Sequence, residues 1–432
     1  MSILIRNVTV LSMEKEKDGS LKPPFKADIA IEGSKIVSIG TADFEKKYDK
    51  IIEGCGLLAM PGLINTHGHV AMSLFRGYGD DMELMPWLME RVLPAEAKMT
   101  PADIALGGQL AIMEMIKSGT TTFADMYFMM DKVAEVVAAS GMRASLCEGM
   151  TTPMIGQHDK LEDFPAFYEK WHNAASGRIT IMLGPHAPYT CDKDYLKRVG
   201  ELGRQYQAPI HIHLAETQTE LEQINDMYGC RPVQLLEEAG IFDGNKVLAA
   251  HGIYINEQEL RRLAQLDVSI AHNPRSNMKL ASGLAPVAEL LAHGINVAIG
   301  TDSACSNNNL DMFQELRTSA LLAKVRELDP TVLPAAQVLE MATINGAKAL
   351  ALADVGMLLP GMEADIILLD LDQPHLYPPT DLISHMVYAA CGSDVDSVII
   401  SGQLVMEKRQ ILTMDCEKIQ AEAAQAAKRL CV

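Results

Sequence analysis

His67 and His69 stand two residues apart in "PGLINTHGH", after a Pro-Gly pair and an apolar run. In a strand, alternate side chains share a face, so both imidazoles can aim at one point. A second pair, His211 and His213, recurs in "HIHLAET", with Glu216 three residues beyond His213. His213 lies nearer the end of its run and is the better ligand, while His211 packs beside it or supports it. Asp302 follows the apolar "NVAIGT". A carboxylate buried there is costly unless a cation or donors meet it. Three imidazole nitrogens and one carboxylate oxygen suit zinc, with ferrous iron as the alternative. Such an ion lowers the pKa of a bound water from about 16 toward 7. Glu216 could then take the proton and hand it to a substrate. His251, ending "VLAAH", could stabilise developing charge, and His272 in "AHNPRSN" is as readily a packed histidine as a site residue.

These side chains need a frame that gathers strand ends. From Leu57 onward, short apolar strands such as "GTTTFADM", "RASLCEGM", "ITIMLGPHAPY", "VLAAHGIYI" and "NVAIGTDSACSNN" are separated by several longer helical patterns. Eight such units over about 300 residues predict a parallel (β/α)8 TIM barrel, whose chemistry sits at the C-terminal ends of its strands. Seven of the 12 histidines (67, 69, 186, 211, 213, 251 and 272) fall at those ends. Gly68, between two candidate ligands, is expected to ease close approach there. The first 57 residues read instead as alternating Ile/Val strands and turns, and the same style returns after Met357 before an Ala-rich terminal helix. The expected organisation is a small β-sandwich domain built from residues 1–57 and 357–432, with the barrel, 58–356, inserted between them.

Composition limits the partners. The chain has 432 residues, 48% of them hydrophobic, and a net charge of −19 without a basic block. Nucleic acid and anionic membrane surfaces are therefore disfavoured. The opening "MSILIRNVTV" does not read as a signal peptide, no apolar run reaches membrane-spanning length, and the eight cysteines show no CxxC pair. Reduced thiols in a cytoplasmic protein are expected, acting on a small molecule; a homo-oligomer is left open.

Taken together, "PGLINTHGH", "HLAET", "HNPRSNMKLASGLAPV" and "GTDSACSNNNLDMF", in that order, resemble the amidohydrolase superfamily. The likeness spans essentially the whole chain, including "PGMEADIILLDLDQPHLYPP". Within it the chain looks most like the 5-methylthioadenosine/S-adenosylhomocysteine deaminases, close to the chlorotriazine hydrolases. That resemblance implies one zinc per subunit on His67, His69, His213 and Asp302. Binuclear relatives carry a carbamylated lysine at a mid-barrel strand end, and "LCEGM" and "LGPHAP" have none. It also implies catalytic roles for Glu216, His251 and Asp302, and of these Glu216 and Asp302 would contact substrate, together with His186. Glu96 in "VLPAEAKMT" would meet the ribose, and Trp87 would line the pocket. The implied reaction is hydrolytic deamination of an adenine-type nucleoside (5′-methylthioadenosine, adenosine or S-adenosylhomocysteine) to the inosine analogue and ammonia. Guanine, a pterin or a triazine is the alternative. Two positions depart from the family pattern: Glu148 and Lys160 stand where arginines would meet the amino-acid carboxylate of S-adenosylhomocysteine. Arg275 in "NPRSN" is also unusual and is a candidate to compensate.

Overall fold

The computed structural model describes residues 2–41, 46–83, 86–152 and 160–431. The two residues 84 and 85 before Pro86, and residues 153–159, which hold the first two letters of "HDKLEDF", lie outside the described residues. Alternating Ile and Val residues build the terminal sheet, as the sequence predicts. Its nine strands run in the order Gln410–Ile411, Gln403–Glu407, Val395–Ile400, Ile366–Asp370, Leu57–Pro61, Ser2–Val10, Phe25–Glu32 and Lys35–Gly40, with Lys50–Glu53 pairing to Ser2–Val10. The sheet is mixed: Ser2–Val10 is parallel to Lys50–Glu53 and Leu57–Pro61, and the other pairs are antiparallel. Ile3, Ile5, Val8, Ile29, Ile366 and Leu368 bury one face.

Leu57–Pro61 pairs in full register with Ile366–Asp370, so the chain stays in the terminal sheet through Pro61. It changes sheet at Gly62. A Cβ there would lie 2.0 Å from the Thr121 side chain, so only glycine lets the crossing pass this close.

From Leu63 to Ile299 the strands are parallel and nearly all buried, which is why they read as apolar runs rather than as alternation. Leu63–Asn65, Thr120–Tyr127, Arg143–Met150, Ile179–Ile181 and Gly184–Pro185 form one parallel sheet. Ile210–Leu214, Val247–His251, Val268–His272 and Asn296–Ile299 form another. The two curl toward each other and are stitched at both seams: Leu183 bridges Ile210, and Gly68 bridges Asp302. The amides of Thr66 and Asp302 donate to the carbonyls of Ile299 and His67 at the second seam. The first catalytic-type strand and the last are thus sewn together where the candidate ligands stand.

Helices cover the outside. Thr100 and Asp103 form a capping box that starts Pro101–Lys117, with Pro101 at the first turn. The terminal helix Cys416–Leu430 packs on it, and Arg429 pairs with Asp103. All eight cysteines are free thiols. Among the described residues, no helix is long and apolar enough to cross a membrane.

Candidate metal centre and active site

His67 and His69 follow Leu63–Asn65, His213 lies in Ile210–Leu214, and Asp302 follows Asn296–Ile299. The ligand-type atoms of His67, His69 and His213 lie within 4.8 Å of one another, and those of His67, His251 and Asp302 do likewise. Asp302 Oδ1 is 3.6 Å from His67 Nε2 and 3.3 Å from His69 Nε2. Four donors placed this way surround a space the size of one ion.

The hydrogen bonds fix which nitrogen faces that space. His69 Nδ1–H donates to the Met126 carbonyl at 2.6 Å, and His213 Nδ1–H to the His186 carbonyl at 2.7 Å. Each leaves its Nε2 lone pair pointing inward, the tautomer a metal ligand needs. His67 Nδ1 is 2.9 Å from His211 Nε2, and His211 Nδ1 is 3.8 Å from the Cys147 thiol, which donates to the Asp125 carbonyl. His211 therefore orients His67 rather than its sequence neighbour His213. The Nε2 of His67 is buried without a hydrogen-bond partner among the described residues. A buried lone pair in that state is costly unless a cation takes it up. Burial and the neighbouring imidazoles hold the His67 and His213 pKa values well below the ordinary histidine value, so both rings are neutral, the form a metal ligand takes. The residues present fit one zinc-type ion.

Asp302 is held by donors on both oxygens. Ser276 Oγ donates to Oδ2 at 2.6 Å and the Ser303 amide to Oδ1 at 2.8 Å. Burial pushes its pKa up, but the facing His69 and His251 rings and Ser276 outweigh this and hold it down, ionised. Asp302 and His251 both sit in the left-handed backbone region, at φ 60° and 75°. Non-glycine residues there are strained by about 1–3 kcal/mol and persist where the surroundings over-determine them. The tight glycine of the centre is not Gly68, around which a Cβ would find ordinary contacts of 3.5 Å or more. It is Gly300, where a Cβ would fall 2.5 Å from Asn273 Oδ1 and 2.8 Å from the His67 amide nitrogen.

Glu216 lies just past its strand, with Oε2 3.8 Å from His251 Nε2. Its backbone is positioned by Glu220, whose two oxygens accept the amides of Ala215 and Glu216, each at 2.9 Å. Thr217 caps the helix Gln218–Tyr228, so a T-x-x-E pattern spanning Thr217 and Glu220 was the available sequence signal for this support. Burial raises the Glu216 pKa above the usual carboxylate range. His251 Nδ1–H donates to Asn277 Oδ1 at 2.8 Å, which aims Nε2 at Glu216. Burial lowers the His251 pKa, but the charges of Glu216 and Asp302 outweigh it and leave it raised. Ser276 and Asn277 stand inside the quoted "HNPRSN", yet nothing in their spacing announced these contacts.

The remaining candidates divide. The His186 ring is 4.8 Å from that of His213, and its Nδ1 is held by Thr190 Oγ1 at 2.9 Å. Glu96 is half-buried, and its loss of solvent raises its pKa to about 7; it accepts the Tyr127 hydroxyl. The Tyr127 ring stands 6.4 Å from that of His69, so Tyr127 ties Glu96 to the metal-type cluster. Trp87 is buried in the main core beside Gly79. His272 is buried, its Nδ1 has no hydrogen-bond partner among the described residues, and its pKa is lowered to about 3 by burial. Glu148 accepts the amides of Met129 and Met130 at 3.0 and 2.9 Å, at the N-terminus of Met130–Ser140. Together with Lys160 it lines a cavity of about 460 Å³. Arg275 is committed to Asn309 and Gln314 and lies 4.0 Å from buried Glu315, so it is not free to compensate for the departures at Glu148 and Lys160.

The same architecture is found in known proteins. The chain is 51% identical, over 99% of its length and 99% of the relative, to a 5-methylthioadenosine/S-adenosylhomocysteine deaminase of Pelotomaculum thermopropionicum. It is 47% identical to a 5′-deoxyadenosine deaminase of Methanosarcina mazei, over 99% of this chain and 98% of that one. A zinc-bound adenosine deaminase from Xanthomonas campestris superposes with a TM-score of 0.93 at 34% identity, covering 99% of this chain and 98% of that structure. Triazine hydrolases are among the other structural neighbours. Residues 58–405, which carry every candidate metal ligand, match the Amidohydrolase family. With a family match over most of its length and relatives of about half identity covered end to end, the chain belongs to the amidohydrolase family.

Proposed function

We propose that the protein is a zinc-dependent deaminase of 5′-substituted adenosines, releasing ammonia and leaving the inosine analogue. The observation that carries this reading is the convergence of His67, His69, His213 and Asp302 on one point, with Glu216 and His251 facing it. The relatives named for deamination of such nucleosides support it at about half identity over the full length. The curled parallel sheet is read as a closed (β/α)8 barrel, with the terminal sheet as a β-sandwich-type domain. The proposed division stays at residues 1–57, 58–356 and 357–432, with the strand Leu57–Pro61 paired in the terminal sheet and the chain crossing to the parallel sheet at Gly62.

In this reading His67, His69, His213 and Asp302 hold one zinc. A zinc ion bound there supplies a nucleophilic oxygen at neutral pH by lowering the pKa of its water. Glu216, protonated readily because it is buried, gives its proton to ring nitrogen 1 of the purine, which makes carbon 6 electrophilic. His251, whose pKa the neighbouring carboxylates Glu216 and Asp302 raise, faces the attacking oxygen and stabilises negative charge as it develops there. Asp302 accepts the remaining proton of the attacking oxygen and returns it to the now ionised Glu216, which passes it to the departing amino group; ammonia leaves, and the first proton of the next water restores Glu216. Glu96 accepts the ribose hydroxyls, with Tyr127 fixing its rotamer, while His186 and Trp87 border the base. Each role is exerted from a strand end or the loop beyond it, where only the loops need differ among substrates.

Steady-state rates on 5′-methylthioadenosine, 5′-deoxyadenosine, adenosine, S-adenosylhomocysteine and guanine, read as ammonia released by the zinc-loaded protein, test the assignment. Release from guanine alone, or from none, would overturn it. Replacing Asn277 with alanine frees the His251 ring, and kcat is expected to fall by about 10–100-fold with metal content retained. An unchanged kcat would show that Asn277 is mere packing. Glu148→Arg bears on the substrate range. It removes a carboxylate that repels an amino-acid carboxylate and adds a planar donor pair. The kcat/KM ratio of S-adenosylhomocysteine to 5′-methylthioadenosine is expected to rise by about tenfold, the yield of one charge-assisted hydrogen bond. The lost contact with the Met129 and Met130 amides costs about 1 kcal/mol of stability, visible in thermal unfolding. A flat ratio would refute the charge argument.

A further inference from the structure

We infer that His375, Cys391 and Asp394 form a second cation site, for a zinc-class divalent ion, at the start of the strand Val395–Ile400 of the terminal sheet. Cys391 and Asp394 flank the short turn that leads into Val395–Ile400, and His375 comes from the turn Pro374–Leu376. Their ligand-type atoms lie within 4.8 Å of one another. His375 Nε2 is 2.9 Å from Asp394 Oδ2, Cys391 Sγ is 3.4 Å from the same oxygen, and Cys391 Sγ is 4.0 Å from His375 Nε2. Around a tetrahedral zinc, with bonds of about 2.0–2.3 Å, such pairs would stand roughly 3.3–3.6 Å apart. Each pair is within about half an ångström of that spacing, a change that small side-chain rotations absorb.

The arrangement is a chelate and not a catalytic relay. In a nucleophilic triad the carboxylate holds the ring nitrogen remote from the nucleophile. Here the carboxylate and the thiol both face Nε2, so three donors converge on one point. Nitrogen, sulfur and oxygen donors together select zinc-class ions over magnesium or calcium.

The turn that carries two of the three donors is already fixed. The Cys391 amide donates to Asp394 Oδ2 at 2.9 Å, and the Gly392 amide to Asp311 Oδ2 at 3.3 Å. Arg409 is the neighbouring cation, and its Nη1 is spent on the carbonyls of Lys117, Gly392 and Val395 at 2.7–2.8 Å. Asp394 is 3% exposed, whereas the His375 side chain is 43% exposed, which leaves an ion a route from solvent. Ser393 Oγ, 3.1 Å from Cys391 Sγ, or a water can complete the fourth position.

Cobalt(II) added to the full-length protein with its His67 centre already zinc-loaded tests this. One further equivalent is expected to bind and to give a near-ultraviolet thiolate-to-cobalt absorption, which the sulfur-free His67 centre cannot produce. Cys391→Ser is expected to abolish that absorption while ammonia release stays unchanged, and His375→Ala to weaken cobalt binding at least about tenfold. In wild type, zinc is expected to slow alkylation of Cys391, mapped by mass spectrometry, while exposed Cys55 reacts at the same rate with or without it. Absence of the absorption, its survival in Cys391→Ser, or unprotected Cys391 would each overturn the site. None of these results depends on which nucleoside the enzyme deaminates.

Discussion

Replacing Glu216 with glutamine is expected to lower kcat by about 10²–10⁴-fold, the span a single positioned proton-transfer group supplies. The substitution keeps the shape of the side chain and removes only its capacity to carry a proton. Its backbone amide remains held by Glu220, and His251 remains held by Asn277, so the surroundings stay in place. Thermal stability separates chemistry from folding. Burial raises the folded pKa of Glu216. A carboxyl with a raised folded pKa favours the folded state most below its unfolded pKa, and that benefit is lost as pH rises through the folded value. Above that value wild type carries a buried charge that the glutamine variant lacks. The variant should therefore unfold no earlier than wild type at pH 8, even as its turnover collapses. Measured metal content equal to wild type, with kcat reduced less than tenfold, would remove Glu216 from the proton path.

How legible this centre was depended on how local each signal is. The metal-type ligands stood out because a two-residue spacing pairs His67 with His69 and His211 with His213, although only the second pair lies within a strand, and because a carboxylate after an apolar run demands a partner. The alternation of strand and helix likewise pointed to the parallel curled sheet. What sequence could not reveal are contacts across the sheet seams. His211 serves His67, 144 positions earlier, and not the adjacent ligand. Gly300 rather than Gly68 proves to be the tight glycine, because the crowding comes from Asn273 and the His67 backbone on neighbouring strands. Glu148 looked like a bare charge in the substrate path. Its partners are amides of the helix that precedes its strand, which no spacing rule connects to it. Arg275 shows the same limit, since its partners Asn309 and Gln314 lie more than 30 positions away.

Asp302→Asn is expected to cost more than Glu216→Gln, exceeding the roughly 10⁴-fold ceiling of one proton-transfer group, because in the proposed mechanism it removes a metal ligand and a base together. Asparagine is the informative choice at this position. The residue holds φ 60°, and asparagine enters the left-handed region more readily than most side chains, so the backbone need not move. The amide oxygen can still accept from Ser276 or Ser303, but the negative charge 3.3 Å from His69 Nε2 is gone. Without it the cluster becomes three neutral imidazoles, and metal content after purification should drop along with turnover. The double variant with Glu216→Gln sharpens the point. If both carboxylates act on the same reacting oxygen and proton, their effects cannot multiply, and the double variant should be no slower than Asp302→Asn alone by more than a few-fold. Fully multiplied losses would mean that the two residues serve separate steps. An Asp302→Asn protein that kept its zinc and most of its rate would take Asp302 out of the centre altogether, leaving the histidines to hold the ion without it.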